Sequence, residues 1–250
     1  YLTHLHPRLD GIICVANAVR DDLRDRVYCP KQNVVTVYKG HDLSWYAEAP
    51  ADLSEFGIPQ DAFVVGCVAN DRPRKGLPVL LEATKQLPAE SNIHLLLVGG
   101  GMDSPHIAEL IAQSPMKERI HVAGFRKDAP ALIAACQASV LPSLKREGLP
   151  KTVVEAMSHG VAPIVSDTGG SAELVVNGES GLVVQPGDAA GIAAAIQSLW
   201  QDPEACRVMG EKARERIDSH FNVKQSAAQT KLYFEKLVAG ESLQGFPSLV

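Results

Sequence analysis

"FVVGCVANDRPRKGLPVLLEATKQLPAESNIHLLLVG", residues 63–99, holds two apolar runs separated by a segment of helical period. FVVGCVA (63–69) and IHLLLVG (93–99) are short and apolar almost throughout. Runs of this kind suit parallel strands that are covered by helices on both faces. Between them, 77–87 reads as a helix, with Gly76 allowing a tight approach and Pro78 placed in the first turn. A strand, a helix and a second strand in that order make a βαβ unit.

The same rhythm runs outward in both directions. Further strands are expected at 11–16, 34–38, 119–124, 138–143, 161–167 and 181–185, and further helices at 105–114, 128–136, 151–159 and 188–201. The alternation predicts an α/β fold, a doubly wound parallel sheet of Rossmann-like type. Its ligand edge is the one formed by the loops that follow the strands. Residues 41–61, "HDLSWYAEAPADLSEFGIPQD", lack a strong period and read as a linker. The chain therefore divides into an N-terminal βαβ piece (1–45), a Rossmann-like domain (46–202) and a C-terminal segment (203–250). That last segment reads as two helices broken near DSHFN (218–222), with a Gly-, Ser- and Pro-containing end that frays.

Bulk properties narrow the function. With 46% hydrophobic and 21% charged side chains among 250 residues, the chain has ordinary globular composition. A formal charge of −5 offers no global field to draw in nucleic acid or an anionic membrane. The five cysteines (14, 29, 67, 136, 206) are scattered and include no Cys-x-x-Cys pair, which suits reduced, buried thiols in a cytoplasmic protein. No apolar run approaches the roughly 20 residues that cross a bilayer. There is no signal peptide, and the chain opens on Tyr1 rather than Met, so it reads as a fragment or a processed product. The histidines, including His4 and His6 near the start, show no ligand spacing. His-Glu-x-x-His, Asp-x-Asp and Gly-x-Ser-x-Gly motifs are all missing, so no metal is expected.

Three windows carry candidate chemistry. In RPRKGLPVLLEA (72–83), Arg72, Arg74 and Lys75 crowd the positive end of a helix dipole, a placement that a bound phosphate would explain; a solvated basic turn is the alternative. In EGLPKTVVEA (147–156) the Gly-Leu-Pro element recurs with the charge reversed. The amides of Gly148 and Leu149 can point into the ligand edge, Glu147 can accept from hydroxyls, and Glu155 can accept from a diol. An exposed helix glutamate is the plain alternative for Glu155. In SDTGGSAEL (166–174), Ser171 is placed to cap a helix whose first turn contains Glu173. LLLVGGGMDSPH (95–106) is not a dinucleotide fingerprint, because Ser104 stands where the third glycine belongs; it reads as a tight turn lining a pocket.

The stretch REGLPKTVVEAMSHGVAPIVSDTGGSAELVVNGESGLVV (146–184) resembles the nucleotide-sugar-dependent glycosyltransferases of family 4, which have the two-domain GT-B fold. It contains the family's Glu-x7-Glu element, an Asp-x-Gly-Gly loop, a helix-opening Glu and an Asn-Gly…Gly turn. The likeness extends to RKGLPVLLEA, LLLVGGG, IHVAGF and VVTVYKGHD, about residues 10 to 238. It implies that Lys75, with Arg72 or Arg74, holds the donor diphosphate, and that Glu147 takes sugar hydroxyls beside the amides of Gly148 and Leu149. It also implies that Glu155 holds the ribose diol and that the loop Gly124, Phe125, Arg126 holds the base through backbone groups. The expected function is a retaining, metal-independent hexosyltransferase with no cofactor. Its donor would be a nucleotide sugar, UDP-sugar favoured, and its acceptor a glycan or lipid-linked molecule. A non-catalytic nucleotide-sugar-binding module and a GT-B-fold epimerase are the alternatives.

Family members carry an arginine five or six residues before the lysine, whereas Asn70 and Ala69 stand there in this chain. The resemblance also makes 1–45 a remnant of the acceptor domain with the interdomain hinge, and 203–250 the helices that cross back to it. Donor binding without turnover is then expected of this chain, with the acceptor reached through the remainder of that domain. Nucleic acid is not an expected partner. Location in the cytoplasm, with peripheral attachment to the inner face of a membrane as an option, completes the reading, and the oligomeric state stays open.

Overall fold

The computed structural model describes residues 6–247; the first five residues, His4 among them, and the last three lie outside the described residues. Strands β3 (Phe63–Val68) and β4 (Ile93–Val98) pair in parallel along their whole length, from Phe63 beside Ile93 to Val68 beside Val98. The element between them in sequence, α2 (Leu77–Ala83), buries Leu77, Leu80, Leu81 and Ala83. Successive strand side chains then serve two cores. Phe63, Val65, Cys67, Leu95 and Leu97 pack with Leu80 and Leu81. Val64, Leu96 and Val98 pack on the other face with Leu132 and Ile133 of α4 (Ala129–Ala134). Burial on both faces is why these strands are apolar throughout.

The sheet is completed by β5 (Ile120–Gly124), β6 (Ala138–Leu141), β7 (Ala162–Ser166) and β8 (Leu182–Val184). Their spatial order is β5-β4-β3-β6-β7-β8, and every pairing is parallel. Helices α3 (Pro105–Ala112), α4 and α5 (Lys151–Ser158) provide the crossovers from β4 to β7, and a 3-10 helix at Gly169–Leu174 joins β7 to β8. Helix α6 (Ala189–Gln201) follows β8 and packs its Ile192 and Ile196 with Leu80 and Leu81 of α2. From β3 the chain first builds towards β5, then returns to the other side of β3 to build towards β8. The connections after β3 and β6 therefore leave towards opposite sides of the sheet, which places the switch point between these two strands.

A separate parallel pair, β1 (Ile12–Cys14) with β2 (Val34–Thr36), is joined by α1 (Asn17–Arg24). Helix α7 (Pro203–His220) packs on α5, with Ala213 and Ile217 against Val153, Val154 and Met157. Helix α8 (Val223–Val238) then lies over β2, where Tyr233 packs on Val35 and Val37 and its hydroxyl donates to the Asn33 carbonyl at 2.9 Å. The α7–α8 break falls at Phe221 and Asn222, pinned because His41 N–H donates to Phe221 O (2.7 Å) and Val223 N–H donates to His41 O (2.9 Å).

Four local expectations are corrected. The end of the chain is not frayed as far as residue 247: Leu243 is buried beside Val35 and Val37, and Phe246 meets Tyr233 edge to face. Helix 77–87 ends at Ala83 and tightens into a 3-10 turn at 84–86. Residues 41–61 contain ordered 3-10 turns at 43–45 and 53–56, capped by the carboxylates of Asp42 and Asp52. Ser171 caps nothing. It is buried inside a 3-10 helix, Gly169–Leu174, that follows Thr168. All five cysteines are buried and unpaired.

Candidate functional site

The site is assembled from the two loops at the switch point. After β3, Asn70 Oδ1 accepts from Gly100 N–H (3.1 Å) and Asp71 N–H donates to Gly100 O (2.8 Å), which ties this loop to the one after β4. A 3-10 turn at 73–75 ends on Gly76, whose φ of 69° is left-handed. A Cβ there would stand 2.0 Å from the carbonyl oxygen of Pro142, so only glycine lets the loop press against the one after β6. Leu144 N–H then donates to Arg74 O at 2.7 Å, and the two loops are joined.

That join sets the charges. Glu147 is 6% exposed, and Lys75 Nζ donates to its Oε1 at 2.7 Å. Ser143 Oγ donates to the same oxygen at 2.6 Å and Arg74 Nη1 at 3.3 Å. Arg74 also reaches Arg146 O at 3.2 Å, steadying a non-glycine residue held at a left-handed φ of 62°. The backbone behind Glu147 is held equally closely. Gly170 N–H donates to Glu147 O at 3.1 Å, and a Cβ on Gly169 would lie 2.0 Å from that oxygen.

The cations therefore have an answer inside the chain. Their crowding at the start of α2 is offset by a buried carboxylate from the other loop, so it does not by itself demand a bound anion. Lys75 and Arg74 against Glu147 still leave one positive charge in excess. Arg74 joins the cluster, whereas Arg72 is exposed and makes no ion pair among the described residues.

The second half of the site is the start of α5. Pro150 precedes the helix, no acidic residue lies in its first turn, and the amides of Gly148, Leu149, Lys151 and Thr152 donate to nothing among the described residues. The two Gly-Leu-Pro elements thus differ, since Pro78 lies inside its helix and Pro150 before its own. Glu155 is buried on α5 and accepts from Lys151 Nζ one turn earlier.

Between the loops lies a cavity of about 240 Å³ whose lining includes Asn70, Lys75, Gly99, Phe125, Lys151 and Thr152. Phe125 is 73% exposed at its mouth. The Arg126 guanidinium is committed to Glu55 (3.0 Å) and Asp128 (2.7 Å) and stacks over the Phe56 ring, so this loop has its backbone to offer. Gly124 has a left-handed φ of 65°, and its carbonyl accepts from Gly99 N–H at 2.7 Å. Burial pushes the Cys67 thiol on β3 up to about 12, and Cys67 does not line the cavity.

A larger cavity, about 720 Å³, lies between α1, β2 and the C-terminal end. Its cations are already engaged: Arg20 with Asp21, Arg24 with the Val34 carbonyl and Lys31 with Asp25. The smaller cavity is the stronger candidate, since it sits at the strand ends among unpaired amides. No cluster of three or more His, Cys, Asp or Glu side chains able to hold a metal occurs among the described residues.

The structure thus brings Lys75, Arg74 and Glu147 together beside the cavity, which Lys75, Phe125 and Arg126 line with the start of α5. Arg74, Gly124, Glu147, Gly148, Leu149 and Glu155 lie outside that lining, and Arg72 stands apart from the cluster. Sequence reasoning missed Ser143, Lys151 and Thr152. Nothing in the sequence around Ser143 distinguishes a buried serine from an exposed one.

Comparison with known proteins follows the same outline. The family model for glycosyl transferases group 1 matches residues 49–216. N-acetyl-alpha-D-glucosaminyl L-malate synthase of Bacillus anthracis is 26% identical over 231 residues, covering 91% of this chain and 60% of that protein. Alpha-maltose-1-phosphate synthase of Mycolicibacterium smegmatis is 31% identical over 251 residues, covering 92% and 64%. Among solved structures, Anabaena HepE in complex with UDP and glucose superposes with a TM-score of 0.81 at 24% identity, covering 91% of this chain and 63% of that one. Sucrose-phosphate synthase of Thermosynechococcus elongatus gives 0.78 at 27% identity, covering 94% and 60%. The sheet and its flanking helices match GT-B glycosyltransferase structures, and the chain spans under two thirds of the length of each of these relatives.

Proposed function

The chain belongs to the group 1 glycosyl transferases, and from that premise we propose that it forms the donor-binding part of a retaining family 4 hexosyltransferase. The donor is a nucleoside-diphosphate sugar, UDP-sugar favoured, and the acceptor a glycan or lipid-linked molecule. The observation that carries this reading is the Lys75–Glu147 pair at the sheet's switch point, beside four unpaired amides. A lysine ammonium has three N–H donors. One is spent on Glu147, which leaves two for phosphate oxygens. Arg74 adds charge, and the start of α5 adds amides where an anion is favoured. As the bond from the anomeric carbon to the diphosphate breaks, negative charge grows on the leaving group, where these donors already stand. The reading needs no metal, because lysine, arginine and amides meet that charge.

Glu147 takes hydroxyls of the sugar and Glu155 the ribose diol, while backbone groups of Gly124, Phe125 and Arg126 meet the base. HepE is described in complexes with UDP and with UDP-glucose, which supports uridine as the first base to test. Relatives that include lipopolysaccharide core and undecaprenol-linked sugar transferases support a glycan or lipid-linked acceptor. No helix among the described residues is long and apolar enough to cross a membrane.

Calorimetric titration with UDP, GDP and ADP, repeated on Lys75→Ala and Glu155→Ala, tests the reading. One nucleotide is expected to bind selectively, with affinity about tenfold weaker, or about 1.4 kcal/mol, in each variant. Binding that is unchanged in both variants, or no binding of any nucleotide to the unaltered chain at millimolar concentration, overturns it.

A further inference from the structure

The carboxylate of Glu147 is held asymmetrically. All three of its donors, Lys75 Nζ, Ser143 Oγ and Arg74 Nη1, converge on Oε1, and Oε2 accepts from nothing among the described residues. Ser143 is fully buried, one turn-length before Glu147, and its hydroxyl bond of 2.6 Å is the shortest of the three. It also comes from a short side chain two residues past the end of β6, whereas lysine and arginine reach in on long side chains. A carboxylate bound through one oxygen by flexible cations alone can rotate or exchange its two oxygens. A short bond from a backbone-anchored hydroxyl removes that freedom.

We propose that Ser143 is a positioning residue that locks the Glu147 carboxylate so that Oε2 is presented to the donor sugar. The proposal rests on the reading of Glu147 as the acceptor of sugar hydroxyls. Three consequences follow from the geometry. Lys75 bridges the sugar-binding carboxylate and the diphosphate, with one N–H on Oε1 and two facing the phosphates. The sugar is recognised through one oxygen only, so the hydroxyls it reads must lie within reach of a single acceptor. Ser143 matters for the sugar and not for the nucleotide, since its one O–H is spent on Glu147 and its side chain is buried and does not line the cavity.

The test compares UDP, GDP and ADP with their glucose conjugates by calorimetry on the full chain, for the unaltered protein, Ser143→Ala, Glu147→Gln and the double variant. In Ser143→Ala the nucleotide is expected to bind within about twofold of the unaltered protein. The glucose conjugate should lose about tenfold, the scale of one hydrogen bond to a charged group. The double variant should bind the conjugate no more weakly than Glu147→Gln alone, because Ser143 acts only through that carboxylate. A merely structural serine would weaken nucleotide and conjugate equally, and that result overturns the proposal. So does a double variant in which the two losses add.

Two further outcomes separate this inference from the one beneath it. If the unaltered protein binds a nucleotide and its conjugate equally well, Glu147 makes no sugar contact and the Ser143 proposal fails while nucleotide binding stands. If it binds no nucleotide at all, the donor-site reading itself fails and takes this proposal with it.

Discussion

At the scale of single residues, the Lys75–Glu147 pair, which we propose meets the donor, is also a buried charge pair. Glu147 is 6% exposed and Lys75 16%, so removal of the lysine strands a carboxylate that water cannot reach freely. Lys75→Ala is expected to cost about 3 kcal/mol of stability, at the low end for a broken buried pair because Arg74 and Ser143 remain. Lys75→Met combined with Glu147→Leu should cost less than Lys75→Ala alone. Urea unfolding of the three proteins checks this, and equal losses would show that the pair is effectively solvated. Glycine offers a second test at the same site. Gly57 and Gly169 both have left-handed φ, but a Cβ at Gly57 meets nothing within 4 Å and one at Gly169 meets Glu147 O at 2.0 Å. Gly57→Ala should cost about 1 kcal/mol, the left-handed penalty alone. Gly169→Ala should cost clearly more and weaken nucleotide-sugar binding as well, since the clash falls on the backbone of Glu147. Ser143 is four residues from Glu147, but 72 residues separate Lys75 from it, and only the fold brings that pair together.

At the scale of elements, α1 depends on a residue far away. Its N-cap position is Ala16, which has no side chain to bond the free amides. Glu173 does this instead: Oε2 accepts from Asn17 N–H and Oε1 from Ala18 N–H, each at 2.8 Å, while Tyr38 Oη also bonds the carboxylate. The negative charge stands at the positive end of the helix dipole, where it is favoured. Glu173→Ala should destabilise the protein by about 2 kcal/mol, the upper range for a lost helix cap. Hydrogen exchange should accelerate first in α1, residues 17–24, and hardly at all in β3 and β4. Uniform acceleration would mean that α1 is not separately anchored. The sequence reading placed Glu173 in the first turn of a local helix, but the structure shows its carboxylate serving α1, 156 residues earlier in the chain.

At the scale of the whole molecule, the segment linking the N-terminal piece to the sheet is held by a buried histidine. His41 is 4% exposed, its Nδ1 lies 2.7 Å from Tyr46 Oη, and its backbone clasps the α7–α8 break. Burial holds its pKa down to about 4, and nearby Lys39 and Lys151 add to the effect. In the unfolded chain the same imidazole takes up a proton near pH 6.5. Between about pH 6.5 and 4 the unfolded state therefore binds more protons, so stability present above pH 6.5 is lost as pH falls towards 4. On the order of 3 kcal/mol is at stake across that window. His41→Gln should flatten the stability–pH curve between these limits, and an unchanged slope would assign the acid loss to other groups.

What the sequence determined by itself was the order and kind of its elements. Uninterrupted apolar runs alternating with helical segments can be buried only as parallel strands between helix layers, and eight such runs became eight parallel strands. That the chain is a glycosyltransferase was legible too, because such loops carry glycines, prolines and glutamates at fixed spacings within about forty residues. Only the tertiary structure decided which arginine joins Lys75, which oxygen of Glu147 is occupied, and that Glu173 serves α1. Those outcomes depend on segments brought together across the sheet, where sequence neighbours no longer predict spatial ones. They turn on distances of a few tenths of an ångström that local patterning does not encode.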